Sequence, residues 1–164
     1  MDLLELRPLI PDLSIDFKQD EIDTLQKVFR RDLVEDPFTV FGFKVKVITK
    51  PVRYGEFQGY PETFVHLITR KNREKRRVFD PFRANKIHWI KPILLNHGDD
   101  EIKFFEYKEG NGKVRDYFWF GKGDFIVIMQ KISPDYLVIT SFNIDNRKNR
   151  KHYEGRYLDY ISQI

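Results

Sequence analysis

Between residues 101 and 144, four apolar segments rich in β-branched and aromatic residues follow one another with only short polar turns between them. No other feature of the chain restricts its fold so much. Glu101–Tyr107 and Lys113–Phe120 flank Glu109-Gly110-Asn111-Gly112, whose Asn-Gly pair suits the left-handed backbone of a tight hairpin. Asp124–Ile132 and Tyr136–Ile144 flank a second turn, Ser133-Pro134-Asp135. Turns this short reverse the chain and leave no room for crossover helices, so neighbouring strands run antiparallel. That argues against a doubly wound parallel sheet.

The rest of the chain supplies flanking elements. Residues 1–16, with Pro8 and Pro11, read as an extended lead-in. From Lys18 to Glu35, Ile22, Leu25, Phe29 and Leu33 recur at helical spacing until Pro37, which predicts an amphipathic helix with an acidic outer face. Phe38–Thr49 reads as a strand, Lys50–Pro61 as a long loop, Glu62–Arg70 as another strand and Lys71–Arg77 as a loop or basic turn. Asp80 is placed as an N-cap with Pro81 at the first helical position. The helix it opens carries Ile87, Ile90 and Leu94 on one face, is kinked or starts a new turn at Pro92, and closes at Asn96–Gly98. Arg147–Ile161 reads as a short basic helix. With no repeat, low-complexity segment or linker, residues 1–164 form one α+β domain: a mainly antiparallel β-sheet meander with flanking helices.

Charge is unevenly spread. The net charge is only +4, yet residues 1–36 hold ten acids against five bases, while residues 70–91 hold nine bases against two acids. Arg147, Lys148, Arg150, Lys151 and Arg156 form a second basic stretch with one acid among them. Two basic segments on a near-neutral domain read as an anion-binding face, or as a solvated surface. The run Arg70, Lys71, Arg73, Lys75, Arg76 and Arg77 is the strongest candidate, for RNA backbone phosphates and not for bases.

There is no cysteine, which removes disulfides, thiolate nucleophiles and zinc–thiolate sites. Met1–Ile10 carries Asp2 and Glu5 where a signal peptide needs positive charge, and no stretch approaches the roughly 20 apolar residues of a membrane span. The expected compartment is the cytoplasm, with no membrane partner. Phosphate-loop, dinucleotide, helical zinc and nucleophile-elbow motifs are all missing, and Gly121-Lys122-Gly123 falls in a strand-to-strand turn. One thread, Glu106-Tyr107-Lys108 with Asp99 and Asp100, suits a carboxylate metal site but is common by chance. The expectation is therefore no metal and no organic cofactor. Chemistry left to His, Arg, Lys, Thr and Tyr includes RNA cleavage, because RNA brings its own nucleophile, the 2′-hydroxyl.

The blocks Thr63-Phe64-Val65-His66-Leu67-Ile68-Thr69-Arg70 and Arg83-Ala84-Asn85-Lys86-Ile87-His88-Trp89-Ile90-Lys91-Pro92-Ile93-Leu94 form the first part of a longer pattern. It continues in Asp116–Phe120 and Tyr136–Ile144. Across residues 62–157 the pattern resembles phage-type members of the barnase–EndoU–colicin–RelE-like nuclease superfamily. Residues 1–61, the acidic helix and first strand, lie outside it. The resemblance implies a small antiparallel sheet with flanking helices and a metal-independent RNA endonuclease, often a toxin, with RNA as substrate and an inhibitor or antitoxin protein as partner. By position, His66, Arg83 and Thr140 match the pattern. After Thr140 the chain departs from it: Ser141-Phe142 stand where a small residue and Tyr are usual, so a phenol is missing.

On this reading His66 is the base or acid, Arg83 and Lys86 hold the scissile phosphate, and Thr140 orients it. Each has a plainer role as well: a half-buried histidine, surface cations, a good strand former. His152 is a candidate acid partner or a solvated histidine. Trp89, Tyr117 and Trp119 would stack on unpaired bases or fill the core. The rivals to the nuclease are a non-catalytic RNA-binding protein on the same scaffold and a phage-derived structural or adaptor protein.

Overall fold

The computed structural model describes residues 2–164. Its centre is a six-stranded sheet: β1 (Thr39–Val40), β2 (Phe43–Lys46), β5 (Ile102–Lys108), β6 (Val114–Phe120), β7 (Phe125–Ile132) and β8 (Asp135–Asn143), in the order β1-β2-β8-β7-β6-β5. A separate hairpin pairs β3 (Thr69–Lys71) with β4 (Arg77–Phe79). The helices are α1 (Gln19–Arg30), α2 (Glu62–Ile68), α3 (Pro81–Ala84), α4 (Ile90–Leu95) and α5 (Arg147–Ile161).

β5 to β8 form the antiparallel meander that the turns demand. Glu109 and Lys113 close the first turn, with Gly112 at positive φ. β7 reads Phe125-Ile126-Val127-Ile128-Met129, every residue buried, because the sheet is covered on both faces. On one face Phe118, Phe120, Val127 and Val138 meet α1, α2 and α4 in the main core. On the other, Phe105, Tyr117, Trp119 and Ile126 form a smaller core under Tyr153, Tyr157 and Tyr160 of α5.

Several expectations are corrected. Glu62–Arg70 is not a strand: Glu62–Ile68 is helix α2, and only Thr69–Lys71 is extended. Thr63, Phe64, Val65, Leu67 and Ile68 are all buried, and an apolar run sealed on nearly every side carries no period to separate a short helix from a strand. Phe38–Thr49 is likewise not one strand. Phe41 and Gly42 both have positive φ and reverse the chain between β1 and β2, a two-residue hairpin of the primed type. Finally, the sheet is mixed, since β2 pairs with β8 in parallel, Val45 opposite Tyr136. Helices α2, α3 and α4 and three strands of the meander lie between these two strands in the chain, so no hairpin fixes their direction.

The helix expected from Asp80 to Gly98 is also not continuous: α3 ends at Ala84, Asn85 and Lys86 leave the helix, and a 3-10 turn at Ile87–Trp89 leads into α4, which contains Pro92. The remaining elements follow the sequence more closely. Ile22, Leu25, Phe29 and Leu33 are all buried, with α1 passing into a π-helical turn at Arg31–Glu35. Asp80 caps α3 by accepting from the Arg83 amide at 3.1 Å, with Pro81 first in the helix. The lead-in is strapped down: Asn85 exchanges two hydrogen bonds with Ile10, and His88 and Trp89 both reach the Arg7 carbonyl. Residues 2–61 therefore share the main core with the remainder.

Candidate functional site

The end of α2 carries the first cluster. Its closing carbonyls need partners, and three side chains from other elements supply them: Arg83, Thr140 and Arg77, the last donating to the Thr69 carbonyl at 3.5 Å. Arg83 of α3 donates from Nη1 to the Thr69 carbonyl at 2.7 Å and to the His66 carbonyl at 3.4 Å. Thr140 of β8 donates its hydroxyl to the same His66 carbonyl at 3.3 Å. A bulge falls just before Thr140: Ile128 faces Thr140 while Met129 faces Val138, leaving Ile139 as the extra residue. Arg83 thus sits at the C-terminal end of α2, where a cation is favourable, and needs no anion to justify it.

His66 lies on α2, half-buried, with Nδ1 2.9 Å from Arg77 Nη2. A guanidinium can only donate, so Nδ1 accepts, and the neutral ring carries its proton on Nε2. Nε2 has no partner among the described residues and is not sealed from solvent. Burial, then the charges of Arg77, Lys71 and Arg83, lower the His66 pKa from 6.5 to about 4. The imidazole is therefore neutral at pH 7, with its one lone pair covered by Arg77. Arg77 also donates to the Thr69 hydroxyl at 3.3 Å, which in turn donates to the Val65 carbonyl at 2.5 Å.

Beside this cluster opens a cleft of about 860 Å³, bounded by α3, the ends of β4 and β8, and the start of α5. Arg70, Arg83 and Lys86 line it, and so do Asp80, Asp124 and Asp145. Two of these acids are already engaged: Asp80 lies 3.8 Å from Arg83 Nε, and Asp124 is ion-paired with Arg150. Lys86 donates to Asn143, and its burial lowers the pKa of the ammonium. A second hollow of about 620 Å³ shares Asp124, Ile144 and Asp145 with the cleft and continues along Arg147, Arg150 and Lys151.

The structure thus brings His66, Arg77, Arg83 and Thr140 into one hydrogen-bonded cluster, and Arg70, Arg83 and Lys86 into the adjoining cleft. Arg83 belongs to both; His66 and Thr140 do not line the cleft. The basic run divides: Arg73, Lys75 and Arg76 are exposed at the tip of the β3–β4 hairpin, Lys71 is exposed beside them, and Arg77 turns inward. His152 is exposed on α5 and lines neither hollow. Trp89, Tyr117 and Trp119 are 5%, 3% and 2% exposed, so none can stack on a base. Among the described residues, no three His, Asp or Glu side chains gather as metal ligands, and no helix is long and apolar enough to cross a membrane.

Sequence reading missed the Arg77–His66 contact, the cleft residues Asn143, Asn149 and Tyr153, and the exposed Phe82. Only Phe82 carried a signal, since it lies off the Ala84, Ile87, Ile90 and Leu94 face that packs into the core. Comparison with protein-family models, with characterised proteins and with solved structures finds no match.

Proposed function

We propose that this protein is a metal-independent endoribonuclease of toxin-like character, of the kind that the barnase–EndoU–colicin–RelE-like resemblance implies. The observation that supports it best is a neutral imidazole and two guanidinium groups joined in one cluster beside an open cleft. In the free protein Arg77 covers the Nδ1 lone pair of His66. A scissile phosphate held by Arg83 and Lys86 draws Arg77 onto its oxygens. Nδ1 is then exposed, and with the Arg77 charge neutralised the imidazole becomes more basic. Nδ1 takes the proton of the 2′-hydroxyl, the 2′-oxygen bonds to phosphorus, the bond to the 5′-oxygen breaks, and that oxygen takes a proton from solvent. Arg77 and Arg83 stabilise the charge that builds on the phosphate.

A second reading has an observation of its own. The lone pair of His66 is engaged and neither His66 nor Thr140 lines the cleft, as suits a protein that binds RNA without cutting it. End analysis of RNA incubated with the protein separates the two. The nuclease leaves 2′,3′-cyclic phosphate ends and is blocked by a single 2′-deoxy substitution at the cut site. RNA that is bound and released intact supports the binding protein; cleavage of DNA at a matching rate contradicts the 2′-hydroxyl route.

A further inference from the structure

We propose that Phe82 is the stacking platform for an unpaired base of single-stranded RNA lying in the cleft, with Ile15 as a second apolar edge. The inference rests on the RNA reading and gives it a strand preference. Phe82 is 74% exposed and Ile15 64% exposed, and both line the cleft. A phenyl ring left in water forgoes the gain of burial, and nothing in α3 requires it, since Ala84 is the residue of that helix packed into the core. Among the described residues Phe82 has no aromatic partner, while most other phenylalanine rings are packed against one another.

The ring's neighbours fit the same ligand. Arg70, Arg83 and Lys86 line the cleft with Phe82, so cations for a phosphate backbone and an apolar face for a base occur together. That pairing is how sequence-tolerant single-strand sites are built: cations track the backbone and aromatic rings take the bases. A duplex keeps its bases stacked on one another and offers no free face to Phe82. The platform therefore selects unpaired RNA, and it replaces the three buried aromatics that cannot reach a base.

Binding of 2′-O-methyl oligoadenylate, which resists cleavage, is compared with that of an abasic oligomer of equal length. Phe82→Ala should weaken oligoadenylate binding about tenfold, as loss of one base–aromatic stack does, and leave the abasic oligomer unaffected. Phe82→Trp should restore affinity, and its fluorescence should fall as oligoadenylate is added. The native tryptophans, 5% and 2% exposed, lie out of the ligand's reach. Equal loss for both oligomers, or no loss for either, overturns the stacking role and leaves the RNA reading standing. Wild-type protein that binds neither oligomer overturns both. Unchanged melting of the two variants is expected, because Phe82 is outside the core.

Discussion

His66 decides most at the scale of single residues. Folding lowers its pKa from 6.5 to about 4, so the unfolded chain takes up the proton first as pH falls. Its contribution to stability is complete above pH 6.5 and declines as pH drops toward 4. The C2 proton of His66 should titrate by NMR near pH 4 in the wild type, and Arg77→Ala should raise the midpoint without restoring 6.5, since burial is the larger cause. A wild-type midpoint near the ordinary value would mean that the ring is neither buried nor held by Arg77. Gly123 makes a different demand. A Cβ there would lie 2.6 Å from a Trp89 ring carbon and 2.8 Å from Phe120, both core side chains. Gly123→Ala should cost roughly 1–3 kcal/mol, the usual range for overpacking, in chemical denaturation. Read as sequence, Gly121-Lys122-Gly123 promised only a turn; the steric need of the second glycine came from Trp89, which the chain order does not reveal.

Among the elements, the meander and α5 were legible because each carries a local signal: an Asn-Gly hairpin, strands bounded by turns, a basic run after Asn146. α2 was not, because burial on nearly every side erased its period, and the parallel pairing of β2 with β8 joins segments far apart in the chain. α5 shows how a helix with no fully buried residue stays in place. Tyr153, Tyr157 and Tyr160 lean on the smaller core, and Arg156 lies 3.6 Å over the Tyr107 ring while donating to the Tyr117 hydroxyl at 3.0 Å. That hydroxyl donates in turn to Glu109. Arg156→Ala should remove a cation–π contact worth about 0.5–2 kcal/mol and a hydrogen bond. Amides of α5 should then exchange faster while those of β6 and β7 keep their protection. Uniform protection in the variant would show that the tyrosines suffice.

Over the whole molecule, the acidic N-terminal segment is part of the scaffold. Its α1 fills the main core, its strap is tied through Arg7 and Ile10 to Asn85, His88 and Trp89, and Ile15 reaches the cleft. Positive charge is displaced to the β3–β4 hairpin and α5, on either side of a cleft whose own charges are mixed. Sequence placed His66, Arg83, Lys86 and Thr140 on a shared list; it could not tell that the first, second and fourth meet through one backbone carbonyl. The most direct measurement is the rate of single-stranded RNA cleavage by wild type and His66→Ala, both in excess chelator. A general base contributes roughly 10²–10⁴-fold. The variant should lose that much rate at unchanged melting temperature and RNA affinity. A folded His66→Ala protein that cuts as fast as wild type would contradict the account.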